Sequence, residues 1–590
     1  MNTMETATAD RAETAGQAAA PATSQPYRQR DHLEYPELTM YQMVEKAATS
    51  YPDDVAYEFY DRKTCYHTFL KQIDQAARAF TAAGIRRDDR VTICLPNIPH
   101  ALIAFYALSR IGAVANMIHP LSAQNEITFY LTISKSKMIV TADLFCEKVA
   151  RAIDKVPQEG TVIVTRMQDF LAPHMALAFT LTKGRTAMKY PRRLNCRWSA
   201  VRWTAFMKTG RPDVALPESK FDLKHTAVIL YSGGTTGTSK GICLSDANFN
   251  DLALQAVEAI GVRFEHGLTM LSCMPMFHGF GLGINIHTIL IHGATCILMP
   301  TFNGKTYADM LIKKRPNFIA GVPTIFEALL HIEALEKADL SHLMGMFCGG
   351  DSLSVELKKK IDIFLKEHGA SIQIREGYGL TECVTASCLT PRDTYKEHSI
   401  GIPFPDTVYK IVKPGTSQEL PPGKEGEIIL KGPTVMLGYL DNEEETRDTL
   451  RVLEDGDTWL YTGDLGYMDE EGYVYFSQRI KRMIITNGYN VYPGQIENVI
   501  DSCPDVSYSC VIGVKDPRRM QRVKAYVVLR DGVTPDDACK ERILEECRLH
   551  IAAYAIPKEI EFRSELPKTL VGKVAYRKLE EENEESKASA

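Results

Sequence analysis

The sequence predicts an α/β protein: a large N-terminal domain of parallel-rich sheets covered by helices, carrying a small β-rich subdomain, and then a small α+β C-terminal domain. Three observations carry that expectation. Apolar runs such as Val91–Leu95, Met138–Thr141 and Val162–Val164 alternate with helical stretches, and strands covered on both faces read as continuous apolar runs. Beyond about Gly401 the texture changes to short β runs between Pro/Gly turns, among them Val408–Val412 and Gly426–Leu430. Past Gln478 a compact unit follows: Ile480–Thr486, the turn Asn487-Gly488, Asn490–Pro493 and a helix near Gln495–Ser502.

In chain order, residues 1–28 are rich in Ala and Thr without periodic apolar positions, so they are expected to be disordered. The large domain is expected over 29–478. Within it Ala101–Leu108 is apolar all round and belongs in a buried helix. Thr226–Leu230, Thr295–Leu298, Phe318–Ala320 and Ile372–Ile374 continue the strand rhythm. The interval 170–212 breaks it: from Phe170 to Pro212 there is no acidic residue, while Lys183, Arg185, Lys189, Arg192, Arg193, Arg197, Arg202, Lys208 and Arg211 mix with Met175, Leu177, Phe179, Trp198, Trp203 and Phe206. That composition reads either as an amphipathic element on a membrane surface or as a basic helix pair packed on the domain. The C-terminal domain is expected over 479–579, and the acidic residues of 580–590 read as a solvated tail.

Composition narrows the class. Of 590 residues, 45% are hydrophobic and 24% charged, ordinary values for a chain that buries a sizeable core. A formal net charge of −6 gives no global reason to expect nucleic acid as a partner. The 14 cysteines are scattered with no C-x-x-C pair, so a reduced, cytoplasmic chain is the simplest account. No stretch has the pattern of a signal peptide or of a membrane span, so the expectation is a soluble protein, at most peripheral at a membrane.

Chemistry concentrates in a few short stretches. Tyr231–Gly241 follows an apolar run and offers Ser232, Gly233, Gly234, Thr235, Thr236, Gly237, Thr238, Ser239 and Lys240. Glycines let backbone N–H groups turn towards an anion, hydroxyls add donors, and Lys240 adds a charge, which together suit a triphosphate. It is not the Walker pattern, because Ser239 stands where that motif needs Gly; the bland reading is a solvated loop. His278 in Pro275–Gly281 is flanked by glycines that would clear space for a ligand. In Glu376–Cys383, Tyr378 between Gly377 and Gly379 offers a flat face for a purine, Thr381 a donor for phosphate, and Glu382 a hard oxygen ligand for Mg2+. A tight turn is the alternative there. Asp464 in Tyr461–Asp464 follows a Gly and suits both hydroxyls of a ribose, or else a plain Asx turn. Lys573 near the end would, taken alone, be solvated surface.

Five separated motifs in this order, spanning about Pro36 to Leu579, resemble the adenylate-forming (AMP-binding) superfamily of acyl-CoA synthetases, peptide-synthetase adenylation domains and firefly luciferase. The resemblance implies that Gly350 and Asp351 in Cys348–Asp351 wall an adenine pocket and that Arg479 helps Asp464 hold the ribose. It implies that His278 lies beside the acyl carboxylate, and that Lys573 bridges carboxylate and phosphate. It also implies ATP, Mg2+ and coenzyme A as cofactors and co-substrates, a small-molecule carboxylic acid as partner, and a C-terminal domain that moves between two half-reactions. Two positions depart from the pattern, Ser239 where Pro is usual and Gln478, at the expected hinge, where Asp or Lys is common. Glu376–Cys383, Asn490–Pro493 and the basic insertion resemble the bacterial medium- or long-chain fatty-acid–CoA ligase branch. Aryl-acid CoA ligases and modules that load a carrier protein are the alternatives.

Overall fold

The computed structural model describes residues 32–588 apart from 172, 183–196, 233–238, 483, 487–488, 492, 517–519 and 570–573. The expected disordered segment 1–28 and the Asn487-Gly488 turn lie outside the described residues.

Two large sheets form the N-terminal domain. In the first, Val228–Ser232, Val114–Met117, Arg90–Cys94, Met138–Ala142, Gly160–Thr165 and Trp198–Arg202 run parallel, and Lys240–Leu244 joins Val228–Ser232 antiparallel. In the second, Ile374–Tyr378, Gly345–Gly349, Phe318–Gly321, Thr269–Ser272, Thr295–Leu298 and Val55–Phe59 are parallel neighbours. Helices cover both sheets because each strand presents apolar side chains to both faces. Pro99–Ile111 shows the local logic: Pro stands in its first turn, Gly112 ends it at φ 70°, and every residue between except Arg110 is buried. Asp246–Ile260 is fixed at its start by a reciprocal Ser245/Asn248 cap and ends on Gly261 at φ 65°.

The β-rich subdomain is an antiparallel sheet of Val408–Val412, Gly426–Lys431, Thr458–Met468, Leu450–Val452 and Val474–Arg479. A fourth sheet with its own apolar core makes the C-terminal unit, in which Met520–Leu529 pairs antiparallel with Val506–Asp516 and parallel with Glu559–Arg563. Among the described residues no helix is long and apolar enough to cross a membrane.

Three expectations need correction. The strand before the tyrosine motif is Ile374–Tyr378, not Ile372–Ile374, so that motif starts on a strand and not after one. The acidic end is not a solvated tail: Tyr576–Ala588 is a helix, with Leu579 and Asn583 buried. Tyr576, Leu579 and Asn583 fall on one helical face against the C-terminal sheet, while Glu582 and Glu584 pair with Arg563 and Lys515. In the basic interval, Trp198 lies on a paired edge strand, and Trp198, Trp203 and Phe206 are buried. Those aromatics are core and not a membrane face. Leu177 and Leu181 of the helix Pro173–Thr182 remain exposed.

Candidate active site

A cleft of about 2740 Å³ opens between the large domain and the C-terminal unit. It is lined by Lys240, His278, Asp351, Glu382, Asp464 and Arg479 among others.

Ser232 and Lys240 are cross-strand partners, placed there by the antiparallel pairing of Val228–Ser232 with Lys240–Leu244. Gly233, Gly234, Thr235, Thr236, Gly237 and Thr238, the rest of the expected phosphate cradle, lie outside the described residues, as does Lys573. Behind the strand end the Tyr231 hydroxyl donates to Asn116 Oδ1 at 2.8 Å, and the Tyr130 hydroxyl lies 3.2 Å from Ser239 Oγ. Lys240 pairs with Glu445, and its ammonium stands 4.9 Å from the centre of the Tyr439 ring. The Tyr439 hydroxyl in turn donates to Glu382 Oε1 at 3.0 Å. Tyr439 and Glu445 carried no signal in the sequence: the first follows a Gly in a two-residue strand, and the second ends a run of three glutamates.

Glu382 belongs to a short turn, Thr381–Cys383, that ends in strained backbone. Val384 has φ 66° and ψ −57°, and the Thr385 N–H donates to Cys383 O at 2.8 Å, which is a γ-turn of the rare strained kind. A β-branched residue at positive φ runs against propensity, so sequence reasoning could not expect it. The turn aims Val384 O at Gly279, where an added Cβ would lie 1.6 Å away. Gly281 is likewise required, by Pro275 O at 2.0 Å from such a Cβ, and Gly379 by Thr385 O at 1.9 Å. Gly279, Gly281 and Gly379 thus serve backbone packing, where the expectation for the two beside His278 is space for a ligand. His278 itself is half-buried on the cleft, with the Phe280 N–H donating to its Nδ1 at 3.3 Å.

The adenine wall of the resemblance maps to neighbouring strand ends. Gly349 and Gly377 are register partners on Gly345–Gly349 and Ile374–Tyr378, and Gly350 follows at φ 83°. Glu376 accepts from the Leu353 N–H at 3.0 Å, and burial pushes its carboxyl up to about 7.

Asp464 also lines the cleft. It belongs to the strand Thr458–Met468, but the register of that strand against Gly426–Lys431 shifts around Thr462–Asp464, with Gly463 at φ 69°. The expected Gly turn is therefore a bulge, which re-aims a side chain without ending the strand. The carboxylate is buried, accepts from the Tyr378 hydroxyl at 2.6 Å and lies 3.2 Å from Arg479 Nε. Burial and the Asp464 charge push the Tyr378 phenol well up, keeping it a donor. Gln478, register partner of Leu465 on the same sheet, is buried, and neither side-chain polar atom has a partner among the described residues.

The donor set suits Mg2+. Among the described residues no group of three His, Cys, Asp or Glu could hold a metal by itself, and Glu382 offers one carboxylate, linked through Tyr439 to Lys240. Mg2+ bound through one carboxylate, substrate phosphates and water needs no more.

Comparison with known proteins identifies a family. The family model described as AMP-binding enzyme matches residues 44–440, and the AMP-binding enzyme C-terminal domain matches 495–573. The long-chain-fatty-acid–CoA ligase of Bacillus subtilis (strain 168) is 34% identical over 561 residues, covering 94% of this chain and 96% of its own. The enzyme of that name in Salmonella typhimurium is 30% identical, covering 92% and 94%. Among solved structures, ATP-bound MatB from Rhodopseudomonas palustris superposes with a TM-score of 0.78 at 26% identity, over 92% of this chain and 99% of that one.

Proposed function

Because this chain belongs to the AMP-binding enzyme family, and with it to the AMP-forming acid–thiol ligases, we propose that its cleft converts medium- or long-chain fatty acids to their coenzyme A thioesters. In the first half-reaction an oxygen of the carboxylate attacks the α-phosphorus of ATP, and the bond to pyrophosphate breaks. The acyl-adenylate that forms has AMP as leaving group, which a free carboxylate lacks. The coenzyme A thiol then gives up its proton, its sulfur bonds to the acyl carbon, and AMP departs.

The chain's residues have separate parts in this reading. Gly350 and Asp351 border the base, with Tyr378 and the backbone of Gly377 and Gly379 beside it. Asp464 accepts from the ribose hydroxyls and is held for that by Arg479 and the Tyr378 hydroxyl. Ser232 to Lys240 cradle the phosphates, Thr381 donates to the α-phosphate, and Glu382 holds Mg2+, which offsets phosphate charge when bound. His278 positions the substrate carboxylate. Lys573 meets the charge that builds at the α-phosphate, where loss of one donor costs on the order of 10²–10³ in rate. The C-terminal unit, expected over 479–579 and extended by its last helix, pivots near Gln478 to admit the thiol.

One observation carries the proposal: Lys240, Glu382 and Asp464, drawn from three distant stretches, converge on one cleft. The fatty-acid class is supported by apolar side chains among the residues that line the cleft, including Ala256, Ile260, Ile284, Phe347, Leu389 and Phe404. The test is exchange of labelled pyrophosphate into ATP with decanoate, palmitate and coumarate, followed by AMP release with and without coenzyme A. Exchange with the alkyl acids and coenzyme A-dependent AMP release are expected; exchange with coumarate alone would move the substrate to aryl acids. Peripheral membrane contact through the interval 170–212 is the remaining part of the reading, supported by exposed Leu177 and Leu181 next to its basic residues. Pelleting with anionic vesicles should fall on Leu177→Glu, and unchanged pelleting removes that part.

A further inference from the structure

The Lys240–Glu445 pair is a charge contact that the phosphate reading does not use. Lys240 is the only cation in the stretch Tyr231–Gly241. In this structure its side chain is 16% exposed and its ammonium is neutralised by Glu445, itself 34% exposed. Glu445 is not a stray surface group. It lies in the first turn of the helix Glu443–Thr449, where its backbone N–H donates to the Asn442 cap at 3.1 Å. The Tyr439 ring lies against the same ammonium and its hydroxyl reaches Glu382, so phosphate lysine and metal carboxylate are joined through one tyrosine.

We propose that Glu445 is a resident counter-ion of Lys240 which the β- and γ-phosphates of ATP must displace, and which recaptures the lysine as pyrophosphate leaves. This rests on the reading of Lys240 as a phosphate cation. Two anions cannot both occupy one ammonium at full strength, because the carboxylate and the triphosphate repel each other across it. Glu445 therefore weakens ATP binding, and by the same amount it weakens rebinding of pyrophosphate. A ligand without β- and γ-phosphates gains nothing from Lys240 and should not sense Glu445.

Calorimetric titration with the magnesium complex of α,β-methylene-ATP, and separately with AMP, tests this on the full chain. Glu445→Gln keeps the helix cap, since the bond there is made by its backbone. It should tighten the ATP analogue three- to tenfold and leave AMP within twofold. Pyrophosphate should inhibit the variant at correspondingly lower concentration. Lys240→Gln should weaken the analogue at least tenfold. Unchanged or weaker binding of the analogue by Glu445→Gln overturns the counter-ion while leaving the phosphate reading standing. If Lys240→Gln binds the analogue as well as the natural chain does, the phosphate reading of Lys240 falls and the counter-ion falls with it.

Discussion

The Tyr378 hydroxyl reaches Asp464 across 86 residues of sequence, at 2.6 Å. A hydrogen bond to a buried carboxylate is worth about 1.5–3 kcal/mol, and Tyr378→Phe removes it while Arg479 stays in place. The apparent KM for ATP in pyrophosphate exchange should rise about tenfold or more, since about 1.4 kcal/mol is a factor of ten; an unchanged KM would mean that Asp464, in its proposed part as ribose acceptor, needs no help from the tyrosine. Tyr378, Asp464 and Arg479 were each legible as members of short motifs. Their meeting was not, because nothing local encodes a contact between distant strands, and the sequence directed attention to the tyrosine's ring and not to its hydroxyl. Glycines misled in the same way. Gly279 and Gly281 look like space left for a ligand, yet each faces a backbone carbonyl that a Cβ would strike.

Some elements of continuous apolar composition have the bounds that the sequence implies. Thr295–Leu298 and Val408–Val412 are strands with those bounds, and Ala101–Leu108 lies inside a buried helix. The edge hairpin Val55–Phe59 with Arg62–Cys65 was not legible, since Arg62 and Lys63 face solvent and break any apolar run. The last helix failed for a related reason: a run of glutamates outweighed three inward positions spaced at helical intervals. Leu579 tests its weight. It is fully buried against the C-terminal sheet, and Leu579→Asp both removes apolar contact and buries a charge, so that unit should lose about 3 kcal/mol or more. Glu581→Ala on the exposed face should change stability by less than about 0.5 kcal/mol. Urea unfolding followed by proteolysis of the C-terminal unit reads both. Equal, small effects would return the segment to a solvated tail.

At the scale of the whole molecule, the order of the two domains and their shared cleft follow from where the motifs fall along the chain. One contact that joins the large domain's parts was hidden, because it is a polar junction and not a pattern. There the segment before the helix Met40–Ser50 meets the β-rich subdomain: Asp406 accepts from the Leu33 N–H at 3.0 Å and from the Tyr35 hydroxyl at 2.7 Å. Asp251, on the helix Asp246–Ile260, is buried beside this junction, and its Oδ1 has no hydrogen-bond partner among the described residues. Burial, with the Asp406 charge adding to it, pushes the Asp251 carboxyl from its ordinary 3.8 up to about 7. Between those values the folded chain holds a proton that the unfolded chain has released, so stability falls as pH rises from about 4 to about 7 and stays low above. Asp251→Asn keeps the shape of the protonated acid and never acquires the charge. Its thermal midpoint should exceed that of the natural chain at pH 8, by an amount corresponding to about 2–4 kcal/mol, and the difference should close as pH falls towards 4. A gap of the same size at pH 5 and pH 8 would mean that the asparagine acts through packing, and that the buried carboxylate places no pH-dependent cost on the junction.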